Sequence, residues 1–171
     1  MTTKNLNAMP TINLNFPARD RGRSFDHRPN EREQMSNIDW SHRDEWTANR
    51  YSHVCRVMVS RHTKNDEGEN GWAVYAIVFP EHPLFPVLLA AHQAKTPYYR
   101  IQEVSDMPLH CCCSYFDAVD RAGKVISFKI GADYGHLHDD LYLRRNTADE
   151  VPGIFDDARL LLDHLMAKAT P

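Results

Sequence analysis

A chain of 171 residues with 20 Lys+Arg against 23 Asp+Glu carries a net charge of −3, which leaves room for one ordinary core and no basic surplus for wrapping nucleic acid. No apolar run approaches a membrane span, and the first ten residues lack the charged start and apolar stretch of a signal peptide. The expectation is a cytoplasmic protein with neither a nucleic-acid nor a membrane partner. Cys55, Cys111, Cys112 and Cys113 fit reduced thiols better than a disulfide framework, because adjacent strand residues point to opposite faces.

Residues 1–37 mix Asn, Arg, Pro and Asp with single apolar residues of no regular period, which predicts a flexible or extended N-terminal arm before a single domain over 38–171. In "SHRDEWTANRY" Ser41 stands three residues before Asp44, a capping spacing that predicts a short helix over 42–50. "HVCRVMVS" alternates Cys55, Val57 and Val59 with Arg56 and Met58, as a strand with one buried face does. "GWAVYAIVF" is apolar throughout from Trp72 to Phe79 and reads as a central strand covered on both faces, joined to the first by the polar loop "RHTKNDEGEN". Pro86 suits the first turn of a helix in which Val87, Leu88 and Ala91 share a face. "LHCCCSYF" and "VISFKIGA" form a second hairpin about "DRAGK". The last segment places Ile154, Ala158, Leu161, Leu162 and Leu165 at helical spacing. The fold class is therefore α+β: a mainly antiparallel four-stranded sheet in β-β-α-β-β-α order, with helices packed on it.

The chemistry gathers near the end of the fourth strand, in "FKIGADYGHLHDD". Alternation puts Ile126, Phe128 and Ile130 on one face and Ser127, Lys129 and Gly131 on the other, with Asp133 continuing the second set. In the third strand Leu109, Cys111, Cys113 and Tyr115 are read as core, which leaves His110, Cys112 and Ser114 opposite. Hairpin pairing then sets His110 beside Asp133 and His136, three groups that could hold a divalent metal, since imidazole and carboxylate suit zinc or manganese. His82 is read either as a fourth member of such a site or as a turn residue capping the next segment. Ser114 or Cys112 with His110 could form a nucleophile and base, although no nucleophile elbow accompanies them.

Three segments, "GWAVYAIVFPEHPLF", "HCCCSY" and "GADYGHLHD", resemble in order the motifs of a family of phage and prophage proteins with His-Pro-Leu, His-Gly-Gly-x-Thr-Tyr and Gly-Phe-Asp-Cys-Ala-His-x-Gly-Asp. The match falls on His82, Pro83 and Leu84, on His110, Ser114 and Tyr115, and on Gly131, Asp133, His136 and Asp139. Cys111 and Cys112 replace the paired glycines, and His138 replaces the last one. The resemblance implies phage origin and a shared pocket. His136, His138 and Asp140 also resemble the first metal motif of metallo-β-lactamase-like hydrolases, but that motif sits early in a larger two-sheet fold, whereas about thirty residues follow it here.

The leading expectation is a phage-encoded protein that binds a small, nucleotide-like ligand through His82, His110, Ser114, Tyr115, Lys129, Asp133, His136 and Asp139, and so counters a host defence. A metal-dependent hydrolase of a similar molecule, with Asp133 and His136 as ligands and His110 as acid or base, is the alternative from the enzyme class. The third is an inhibitor of a host protein, its arm ordering on the partner. A homo-oligomer is compatible with each.

Overall fold

The computed structural model describes residues 25–31, 34–35, 38–64, 70–136, 139 and 148–169. The strands are β1 (Asp26–Glu31), β2 (Gln34–Met35), β3 (Ile38–Ala48), β4 (Cys55–Lys64), β5 (Asn70–Val78), β6 (Tyr115–Arg121) and β7 (Lys124–Asp133). The helices are α1 (Phe85–Gln93), the single turn α2 (Gln102–Ser105) and α3 (Pro152–Ala169). In space the strands run β1-β3-β4-β5-β7-β6, every neighbouring pair antiparallel, with β2 paired to β3 off this path. The class is α+β, as the pattern predicts. The sheet, however, has five strands from β3 to β7 rather than four, and β1 and β2 extend it.

The added strand β3 stands where the Ser41 and Asp44 spacing predicted a helix. Here tertiary packing overrides a local capping signal. As a strand, the segment turns Asp44, Trp46 and Ala48 inward, at 3%, 2% and 1% exposure, and Trp46 stacks on Trp72 of β5 with ring centroids 5.6 Å apart. A helix would turn Trp46 to the side opposite Asp44 and Ala48. β1 and β2 pair with β3 from within the stretch read as an arm, so the sheet begins before residue 38.

The core lies between one sheet face and the helices. Cys55, Val57 and Val59 of β4 and Trp72, Val74, Ala76 and Val78 of β5 share one core with α3, whose Ile154, Ala158, Leu161, Leu162 and Leu165 are all buried, and Phe128 and Ile130 of β7 join it, Phe128 against Phe85 of α1. In α1 Phe85 and Leu88 are buried while Val87 is exposed, so Val87 does not share the inner face. Among the described residues no helix is packed on the sheet's second face. There Tyr75 and Ile77 of β5 are only half-buried, which corrects the expectation of a strand covered equally on both sides.

The β6–β7 hairpin turns at Ala122 and Gly123, with φ of 54° and 79°, the two left-handed residues of a tight hairpin loop. Asp120 Oδ1 accepts the Gly123 N–H at 2.9 Å. β6 begins only at Tyr115. Its inward residues are Phe116 and Ala118, opposite Ile130 and Phe128; of the expected core set, Leu109 and Cys113 pack partly buried against the core, whereas Cys111 and Tyr115 are exposed. Among the described residues no helix is long and apolar enough to cross a membrane.

Candidate functional site

Because β6 starts late, the segment before it is free to turn. Cys111 takes a left-handed φ of 62°, and Cys111 and Cys112 are exposed rather than packed in a strand. This turn carries His110 away from the sheet and onto the ring of Tyr134, just past the end of β7, with centroids 4.4 Å apart and planes 20° apart. Tyr134 is 1% exposed, and its hydroxyl donates to Asp157 Oδ2 of α3 at 2.6 Å. The same Asp157 oxygen lies 4.0 Å from His110 Nδ1.

The other nitrogen of His110, Nε2, lies 2.7 Å from Asp139 Oδ1. His136 approaches the second oxygen: its backbone N–H donates to Asp139 Oδ2 at 2.9 Å and its ring Nδ1 lies 2.9 Å away. Burial of Asp139, 2% exposed, works to raise its carboxyl pKa. The His136 backbone N–H, then the His136 and His110 side chains, outweigh that and hold it below the ordinary carboxylate range. The expected trio of His110, Asp133 and His136 is thus corrected in one member, for Asp139 takes the place between the two imidazoles. His138 and Asp140 lie outside the described residues.

Asp133 belongs to a neighbouring arrangement. Its Oδ2 accepts from Ser114 Oγ at 2.7 Å, its Oδ1 accepts the Gly135 N–H at 3.0 Å, and its own N–H donates to Ser114 Oγ at 3.1 Å. These bonds fasten the end of β7 to the start of β6. Partial burial works to raise the Asp133 carboxyl pKa, but the Ser114, Gly135 and His136 contributions lower it on balance. On the same face Tyr75 and Tyr115 flank Gly131 and meet edge to face at 5.4 Å. The Lys129 ammonium sits 3.9 Å from the Tyr75 ring centre and 5.4 Å from that of Tyr115. Four of the sequence-chosen residues, Ser114, Tyr115, Lys129 and Asp133, therefore share this face.

His82 joins neither group. It follows β5, whereas the His110 cluster lies by the strand's other end; Val78 pairs with Phe128 and Ala73 with Asp133, a separation of roughly 16 Å along the strand. Both of its nitrogens are used within the helical layer. Nδ1 accepts the Leu84 N–H at 3.0 Å, so Nε2 carries the proton and donates to the Leu165 carbonyl at 3.0 Å. The capping role holds, and His82 acts as a buried clasp between α1 and α3. Burial first, and Lys168 after it, lower the His82 pKa against the opposing pull of the Leu165 carbonyl; burial likewise lowers His164.

A histidine whose folded value lies below its unfolded 6.5 stabilises fully above that pH and loses the contribution as pH falls through it toward the folded value. The thermal midpoint is accordingly expected to fall between about pH 7 and about pH 5, and to fall less steeply in His82→Asn, whose amide oxygen can replace Nδ1. Equal slopes in the two proteins would remove His82 as a source of the acid sensitivity.

Two cavities among the described residues are lined by none of the eight residues expected to bind a ligand, although Cys112, weighed as a nucleophile, borders one of them. One, of about 420 Å³, is bounded by Tyr98, Tyr99, Met107 and Cys111 to Cys113. The other, of about 590 Å³, opens between the β3–β4 turn and the end of β5, lined by Arg50, Tyr51, Ser52, His53, Arg56, Phe79, Pro80, Glu81 and Ile126. Its cations are poorly matched. Arg50 reaches Asp26 only at 4.0 Å, and Arg56 makes no ion pair among the described residues, its guanidinium lying 4.7 Å over the Phe79 ring with Nε buried and unbonded. Burial, and then the neighbouring Arg50 charge, lower the Arg56 pKa. Sequence reasoning missed these arginines because they follow no motif; only the β3–β4 turn folding against β5 joins them.

Comparison of the chain with protein-family models, with curated proteins and with solved structures finds no match.

Proposed function

We propose that this protein binds a small anionic ligand with a flat ring, of the nucleotide class, in the cavity between Arg50, Arg56 and Phe79. One observation carries the reading: two arginines held close enough to perturb one another, one of them without a carboxylate partner among the described residues, in an open cavity of about 590 Å³. That volume falls in the usual range for small-ligand sites. A phosphate would supply the missing charge and accept from the Arg56 guanidinium, and Phe79 and Tyr51 offer faces for a ring. Glu81 at the rim disfavours a second anionic group on its side. In the phage setting implied by the motif resemblance, such binding would sequester a nucleotide-like signal and counter a host defence.

The test is calorimetric titration with adenosine and guanosine phosphates, and with pyrophosphate as a ringless control. Nucleotide binding is expected to weaken roughly 10- to 100-fold in Arg56→Ala, the loss of one charge-assisted contact, and to weaken with salt. Absence of binding by every probe, or equal affinity in Arg56→Ala, would overturn the reading. A second reading, a metal-dependent hydrolase of a similar molecule, is favoured by the ligand-capable atoms of His110, His136 and Asp139 lying within 4.8 Å of one another. Release of phosphate from a bound nucleotide would favour it, and intact recovery would favour the binding protein.

A further inference from the structure

The geometry points to a divalent transition-metal site, of the zinc class, formed by His110 Nε2, His136 Nδ1 and an Asp139 carboxylate oxygen, with its remaining positions open to water. The three donors come from two separate segments and converge on one point, all within 4.8 Å of one another. Bonds of about 2.0–2.2 Å to a tetrahedral ion would set donor atoms about 3.3 Å apart. His110 Nε2 lies 2.7 Å from Asp139 Oδ1 and His136 Nδ1 lies 2.9 Å from Asp139 Oδ2, with the whole donor set inside 4.8 Å, so small side-chain shifts bring the three donors to the spacing of a bound ion. Two imidazoles and one carboxylate suit zinc, cobalt or iron better than calcium or magnesium, which prefer all-oxygen sites.

A second, independent observation is the support behind His110. A metal-bound imidazole nearly always donates its other N–H to a carboxylate or carbonyl, which fixes its tautomer. His110 Nδ1 faces Asp157 Oδ2 at 4.0 Å, Asp157 is held by the Tyr134 hydroxyl at 2.6 Å, and the Tyr134 ring stacks on His110. Each imidazole hydrogen-bonds Asp139 through the nitrogen that would face the ion. On binding, His110 Nε2 and His136 Nδ1 each give a lone pair to the ion; the proton of each is carried by its other ring nitrogen, that of His110 toward Asp157, and any surplus proton is released to solvent. The imidazole side chains are 29% and 32% exposed, which leaves an entry path, while Asp139 at 2% keeps the carboxylate dry.

The site is independent of the arginine-lined cavity, and the two fail separately. The experiment uses the full chain stripped with chelator and titrated with zinc ion alone, then with cobalt(II), whose visible absorption reports nitrogen and oxygen coordination. One ion per chain with a dissociation constant of micromolar or tighter is expected. His136→Ala should weaken binding at least tenfold and change the cobalt spectrum; Asp157→Asn should weaken it about tenfold or more with the stoichiometry unchanged. Asp139→Ala should abolish binding; should that variant not fold, the half-exposed His110 and His136 rings still allow the decision from their alanine variants. Sub-stoichiometric binding, or an ion that His110→Ala and His136→Ala both leave in place, overturns the site and makes the cluster a hydrogen-bonded clasp.

Discussion

Gly131→Ala is expected to lower the thermal midpoint by roughly 6–12 °C, or to prevent soluble expression. A Cβ at this position would lie 2.3 Å from the Val74 carbonyl oxygen and 2.4 Å from the Tyr75 ring. The ring could swing away, but the carbonyl belongs to β5, and moving it separates the two strands at the centre of the sheet. Overpacking of this kind costs about 3 kcal/mol, and a domain of this size loses about 2–4 °C per kcal/mol. Gly123→Ala is the control. It sits at a left-handed φ of 79° with nothing within 4 Å of the added carbon, so only backbone strain of about 1 kcal/mol should appear. Equal midpoints for the two variants would mean that β5 and β7 part without cost.

Phe155→Ala is expected to destabilise by about 3–5 kcal/mol, the usual cost of emptying a phenylalanine site in a core. Phe155 is fully buried in the first turn of α3, edge-on to Phe25 at 5.4 Å and to Trp46 at 5.6 Å. The Trp46 ring in turn stacks on Trp72, so one side chain joins the helix, the residue before β1, β3 and β5. Its removal leaves a void that three large, rigid rings fill poorly. Urea unfolding followed by tryptophan fluorescence measures the loss. Leu160→Ala on the same helix, 57% exposed, should shift stability by less than about 0.5 kcal/mol. A Phe155→Ala loss no larger than that of Leu160→Ala would mean that α3 does not hold the sheet through this contact.

Periodicity revealed the elements whose burial depends on their own residues. The five apolar positions of α3 are all buried, and Cys55, Val57 and Val59 alternate inward in β4 as their spacing requires. The β6–β7 turn was legible because Ala122-Gly123 sits between two strand patterns. β3 was not, because what makes it a strand is Trp46 packing on Trp72 and Phe155, contacts distant in sequence. At the candidate site, His110 and His136 were found from pairing, but their shared partner was misplaced: strand parity reaches Asp133 and ends there, whereas Asp139 returns through a loop that no parity rule governs. The arginine-lined cavity was illegible for a related reason. It has no spacing to read, since its walls come from a turn, a strand end and a residue of β7.

Among the described residues the sheet ends on one side at β6, and a terminal strand presents backbone donors and acceptors that a second chain could pair with. β6 is poorly suited to that. Asp117, Asp120 and Arg121 line it as exposed charges, and its register slips between Val119 and Asp120, so a straight partner strand would meet one carboxylate after another and then lose step. Aggregation through this edge is therefore disfavoured kinetically as well as at equilibrium. Neutralising Asp117 and Asp120 together would turn a guarded border into a template for fibre growth.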